Sequence, residues 1–159
     1  GVAYAVPVTG QVTRRGILQA AAVTPLALLA ACSSDAGSGE QTDIDDAVRQ
    51  AVAASEQGLI RQYDAAIAAY PALESKLTPL RDQHVEHLTA VGGQPSNDSG
   101  SPSTPKTAAA AVQQLTASER KAASERTASC GKATSGDLIW NLALIASSES
   151  QHAAVLARG

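Results

Sequence analysis

Phenylalanine and methionine are absent from this chain, tryptophan occurs once and tyrosine three times, so aromatic residues make up only 3% of it. A sheet-dominated core would lack its usual aromatic material. Positive charge is also scarce: 12 Lys and Arg stand against 15 Asp and Glu, for a net charge of −3 with no basic stripe. This excludes a nucleic-acid partner held by charge and adhesion to anionic lipid by charge alone. Gly-rich phosphate loops, Ser-x-x-Lys, a nucleophile elbow and Cys-x-x-Cys are all missing, which leaves nucleotide, hydrolase and thiol-redox chemistry without support. Cysteine occurs only at positions 32 and 130. Their contexts differ, and Cys130 reads as a small buried apolar residue rather than a reactive thiol.

What is present in quantity is alanine, the best helix former, within a 44% hydrophobic content. An all-α chain follows. The length of 159 residues allows one domain once a targeting segment and a tether are set aside.

The targeting segment is residues 1–31. Thr13-Arg14-Arg15-Gly16-Ile17-Leu18-Gln19 sets two arginines before an uncharged stretch from Gly16 to Ala31, the plan of a twin-arginine export signal. That stretch falls short of the roughly 20 residues that span a bilayer, and Pro25 interrupts it. Its end, Leu29-Ala30-Ala31-Cys32, resembles the lipobox of bacterial lipoproteins. The resemblance implies that Cys32 is acylated and becomes the mature N-terminus, so that the membrane is a partner through lipid and the domain sits on the outer face of the cytoplasmic membrane. Loss of residues 1–31 removes two positive charges and no acid, taking the net charge from −3 to −5. Residues 32–41, rich in Ser, Gly and acid, read as a flexible tether.

Residues 42–158 carry four apolar stripes at helical spacing. The first holds Ile44, Val48, Val52, Leu59, Tyr63, Ile67 and Tyr70; the second, after Pro71, holds Leu73, Leu77, Leu80, His84, His87 and Val91, and Gly92-Gly93 closes it. Pro79 kinks this second helix or marks its start. Residues 94–106 are rich in Ser, Pro, Gly and Asn and form a long loop able to run the length of a helix hairpin. A third helix from about Thr107 to Ser129 has Val112, Leu115, Glu119, Ala122 and Arg126 on its stripe; a fourth, starting near Asp137, has Leu138, Leu142, Ile145, Glu149, His152 and Leu156. Two helix hairpins joined by a long loop predict a four-helix bundle. An open three-helix packing with the Ala-rich third helix loose is the alternative.

Polar groups on such stripes cost free energy unless paired or coordinated. Glu56, His84, His87, Glu119, Glu149 and His152 are such groups. Counting about 1.5 Å per residue from each hairpin turn puts all six near mid-bundle. Carboxylates and imidazoles converging there are the donors that iron, manganese or zinc would take. Arg126 on the third stripe either pairs with a carboxylate or faces solvent.

Glu149-Ser150-Gln151-His152 is a Glu-x-x-His and resembles the ferritin-like di-iron carboxylate pattern. The string Leu144 to Ala154, with His84 to His87 before it, is similar to an uncharacterised ferritin-like family of actinobacterial envelope lipoproteins, over most of residues 42–158. The resemblance implies a ferritin-like bundle in which Glu56, His87, Glu119, Glu149 and His152 match ligand types. Position 84 departs from it, with His where a bridging carboxylate would stand, so oxygen activation at two irons loses a required ligand. Three readings of the cluster stay open: a bound divalent metal at a single or degenerate dinuclear site, a hydrogen-bonded polar core with no chemistry, and a cleft for a small ligand or partner, either a second copy of the chain or another envelope protein.

Overall fold

The computed structural model describes residues 35–96 and 102–158. Arg14, Arg15, Cys32 and the rest of the expected export signal lie outside the described residues. Four helices make up the fold: α1 (Asp35–Ala69), α2 (Glu74–Ala90), α3 (Ala108–Cys130) and α4 (Gly136–Ala157), with a short 3₁₀ turn at Pro71–Leu73 between the first two. There is no strand among the described residues. The chain is an all-α four-helix bundle, with α1 packed on α2 and α3 packed on α4.

Each boundary has a local cause. Pro71 supplies a fixed φ to the 3₁₀ turn that leads into α2. Pro79 sits inside α2 near its first turns rather than at its start. Gly92, with φ of 82°, takes the left-handed conformation that closes α2, and Gly93 N–H then reaches back to Leu88 O at 2.9 Å. Thr107 caps α3 by accepting from Ala110 N–H at 3.2 Å. The start of α4 is capped from another helix: Asp45 of α1 accepts from Thr134 N–H at 2.7 Å and Ser135 N–H at 3.0 Å. One boundary departs from the sequence reading. α1 begins at Asp35, within the stretch expected to be a flexible tether, and residues 39–44 of it are exposed.

The contacts across the bundle give its topology. Glu56 meets Arg126 while Tyr63 meets Glu119, so α1 and α3 run antiparallel. Arg81 meets Asp64 while His84 meets Glu56, so α1 and α2 are antiparallel as well. It follows that α2 and α3 are parallel, so the end of α2 and the start of α3 lie at opposite ends of the bundle. Two residues between these helices are held by α1 and the turn after it: Gln94 O accepts from Gln57 Nε2 at 3.1 Å, and Pro105 O accepts from the Tyr70 hydroxyl.

The apolar core comes in two parts. One contains Tyr63, Ala66, Leu77, Leu80, Ala111, Leu115 and Leu156. The other contains Val48, Val52, Val91, Leu138, Leu142 and Ile145. On every helix that contributes to both, the residues of one part precede and those of the other follow the polar positions. The layer between them is polar.

Candidate metal centre

His84 of α2 is at the middle of that layer and is fully buried. Its Nδ1 lies 2.8 Å from Glu56 Oε2 on α1, and its Nε2 lies 2.8 Å from Glu119 Oε1 on α3. The rings of His87 and His152 stand 5.5 and 5.2 Å from it, both nearly edge-on. The chain has three histidines and all three are here. His87 is the most exposed of them, with 13% of its side chain open to solvent.

Two groups of three residues emerge, Glu56 with His84 and His87, and His84 with Glu119 and His152, and within each group the donor atoms lie within 4.8 Å of one another. Such groups could hold a metal ion. Donors around tetrahedral zinc, each about 2.1 Å from it, are about 3.4 Å apart. In the first group Glu56 Oε2 lies 2.8 Å from His84 Nδ1 and 3.8 Å from His87 Nδ1. In the second, Glu119 Oε1 lies 2.8 Å from His84 Nε2 and 3.5 Å from His152 Nδ1. These separations bracket what an ion requires.

The other expected site residues are placed differently. Glu149 is fully buried, but its carboxyl turns toward Arg126, 3.4 Å from Nη2, and belongs to neither group of three. Arg126 also reaches Glu56 Oε1 from Nε at 3.3 Å and Nη2 at 3.1 Å. The buried guanidinium therefore takes one side of the layer, holding one oxygen of Glu56 and leaving Oε2 to the histidines.

Three further participants were not singled out as site residues from the sequence. The Tyr63 hydroxyl donates to Glu119 Oε1. Gln83 Oε1 lies 3.0 Å from His152 Nε2, and Ser148 Oγ lies 3.1 Å from Gln83 Oε1 and 3.2 Å from His152 Nε2. Their spacing carries a signal: Tyr63 is seven residues after Glu56 on one face, and Ser148 is four before His152. Nothing in the sequence distinguishes Gln83 from other surface glutamines.

Electrostatics follow from the burial. Burial opposes charge on His84, but hydrogen bonds and charge from Glu119 and Glu56 outweigh it and raise the ring to about 9. Protonated, it donates to both carboxylates. Burial also opposes charge on Glu56, yet hydrogen bonding and charge from His84, with the charge of Arg126, hold it well below the usual carboxylate range. Glu119 is held down to about 2, in spite of its burial, by hydrogen bonding and charge from His84 and by the Tyr63 hydroxyl. Glu149 goes the other way. Burial pushes it up to about 8, Arg126 offsets only part of that, and the neighbouring Glu56 and Glu119 add to it. Burial and Glu119 move Tyr63 far above its ordinary value, so it stays a donor.

Comparison of the chain with protein families, with curated proteins and with solved structures finds no match.

Proposed function

We propose that this protein is a metal-binding four-helix bundle of the bacterial envelope that takes a divalent transition metal, iron, manganese or zinc, at the mid-bundle histidines and carboxylates. The observation that carries this reading is the orientation of His152. Gln83 Oε1 can only accept a hydrogen bond, so the neutral ring carries its hydrogen on Nε2 and its lone pair on Nδ1. That nitrogen is buried, has no hydrogen-bond partner and points at Glu119 Oε1, 3.5 Å away. Two acceptors facing each other in a buried layer favour a cation between them. Glu119 Oε2 and His87 Nδ1 are likewise buried without a partner. A carbonyl oxygen that fixes the tautomer of a histidine is the usual outer support of a metal ligand.

Metal content decides the matter. The purified full chain, stripped with chelator and dialysed against zinc, manganese or iron(II), is expected to retain metal, and the Glu119→Gln variant to retain much less. Equal retention by parent and variant would place any metal elsewhere.

A second reading rests on Arg126. A guanidinium 3.1 Å from Glu56 and 3.4 Å from Glu149 supplies positive charge within the layer without any ion, and with protonated His84 it would make a self-sufficient polar core in a bundle that acts as a binding module. A parent chain that retains no metal would select this reading.

Location belongs to the same proposal and is supported by the sequence alone. The arginine pair at Arg14 and Arg15 directs export, and lipid on Cys32 holds the domain at the outer face of the membrane, as in the ferritin-like lipoproteins the sequence resembles. No described helix is long and apolar enough to cross a membrane. Cells fed a fatty-acid analogue should label the protein, and label that persists in Cys32→Ala would overturn the anchor.

A further inference from the structure

Resting on the metal reading above, we infer that the layer holds two ions rather than one, with the His84 ring spanning them, Nδ1 toward an ion shared with Glu56 and His87 and Nε2 toward an ion shared with Glu119 and His152. His84 belongs to both groups of three, and it does so through different atoms: Nδ1 at 2.8 Å from Glu56 Oε2, Nε2 at 2.8 Å from Glu119 Oε1. The two nitrogens of an imidazole point in opposed directions, so one ion cannot use both. Each group brings its own second histidine. The rings of His87 and His152 lie nearly parallel, 17° apart with centroids separated by 6.1 Å, and the His84 ring meets both nearly edge-on at 5.5 and 5.2 Å, so the three rings form a triangle. A hydrogen-bonded polar core gives no reason for that repetition, because His87 Nδ1 and His152 Nδ1 gain no partner in it.

The charges and atoms balance. The His84 ring begins with a hydrogen on each nitrogen and Glu149 with one on its carboxyl; each ion replaces one ring hydrogen, the added positive charge ionises Glu149, and three protons leave to solvent; no bond to carbon changes and nothing is oxidised or reduced. Two dications and Arg126 then face three ionised carboxylates and one imidazolate, which leaves a single positive charge. The layer reaches solvent at His87, so an anion or hydroxide from water can enter there to balance it. A bridging imidazolate thus takes the part that a bridging carboxylate would take from position 84.

The test uses copper(II) and zinc as probes, because copper(II) has the highest affinity of the divalent series for nitrogen and oxygen donors and reports coupling through a bridge. The full chain, with its thiols alkylated, is titrated with each metal; native mass spectrometry counts ions, and electron paramagnetic resonance reads the copper form. Two ions per chain, with most of the copper signal lost to antiferromagnetic coupling at the second equivalent, is the expected result. His87→Ala, at the rim of the layer, should bind one ion with a full uncoupled signal, while Arg120→Ala, an exposed change on α3, should behave as the parent. A parent that stops at one ion, or that binds two without coupling, would overturn the bridge and leave the metal reading standing. A parent that binds none overturns both. Two coupled ions in His87→Ala would also overturn the assignment.

Discussion

The chemistry of the site turns on which atoms of each side chain are already engaged. Glu149 and His152, three apart on one helix, share a face, and that much is visible in the sequence. What is not visible is that Arg126 draws the Glu149 carboxyl away from the histidines, since spacing fixes the face and the charged partner fixes the direction. Glu149→Gln is accordingly expected to keep metal affinity within a few-fold, while Gln83→Ala, which frees the His152 ring, lowers it about 10–100-fold; isothermal titration with zinc compares them. Arg126→Ala leaves Glu56 Oε1 and Glu149 buried without their cation and should destabilise the bundle by about 3–5 kcal/mol in urea unfolding.

The metal-free protein also has a characteristic pH dependence. His84 rises from 6.5 to about 9 on folding, so its contribution is whole below pH 6.5 and is lost as pH climbs through 9. Glu149 rises from 4.5 to about 8, and its contribution is lost as pH climbs through 8. Glu119 falls from 4.5 to about 2, and its contribution is lost as pH drops through 2. Chelated protein should therefore melt progressively lower between pH 5 and pH 9, read by circular dichroism. A melting temperature that rises over that interval would contradict the protonation states assigned here.

At the scale of the elements, four apolar stripes with intervals of three and four residues were enough to define the helices and their pairing, because burial in a bundle follows the helical period. Gly92 and Thr107 also announced the ends of α2 and the start of α3. The beginning of α1 was not legible, since Gly37 and Gly39 argue locally against a helix that nevertheless begins at Asp35. Nor was the Asp45 cap, which joins positions far apart in sequence. Hydrogen bonds to the Thr134 and Ser135 side chains and backbones hold this carboxylate down at about 2. Asp45→Ala should loosen the turn before α4, seen as faster amide exchange at Thr134 and Ser135 with the rest of the bundle unchanged. The crossover is fastened at Tyr70 to Pro105, and Tyr70→Phe is expected to cost about 0.5–1.5 kcal/mol.

For the whole molecule, the ordering of apolar, polar and apolar layers is the organising feature. Removing Leu142 from one apolar part, as Leu142→Ala, should cost about 2–5 kcal/mol, a loss the polar layer cannot make up while it is metal-free. Counting residues from the hairpin turns located that layer in the sequence, because rise per residue is fixed in a helix. The sharing of His84 between two groups that could hold a metal could not be counted, because it depends on ring orientation set by Glu56 and Glu119 from two different helices.

Thermal unfolding of the chelated full chain, with and without zinc, manganese or iron(II), tests the central claim most directly. An ion that binds the native layer and not the unfolded chain adds about 2.7 kcal/mol at a hundred times its dissociation constant, so the melting temperature should rise with metal in the parent and stay fixed in a Glu119→Gln, His87→Ala double variant. An unchanged melting temperature in the parent with all three metals would contradict the account.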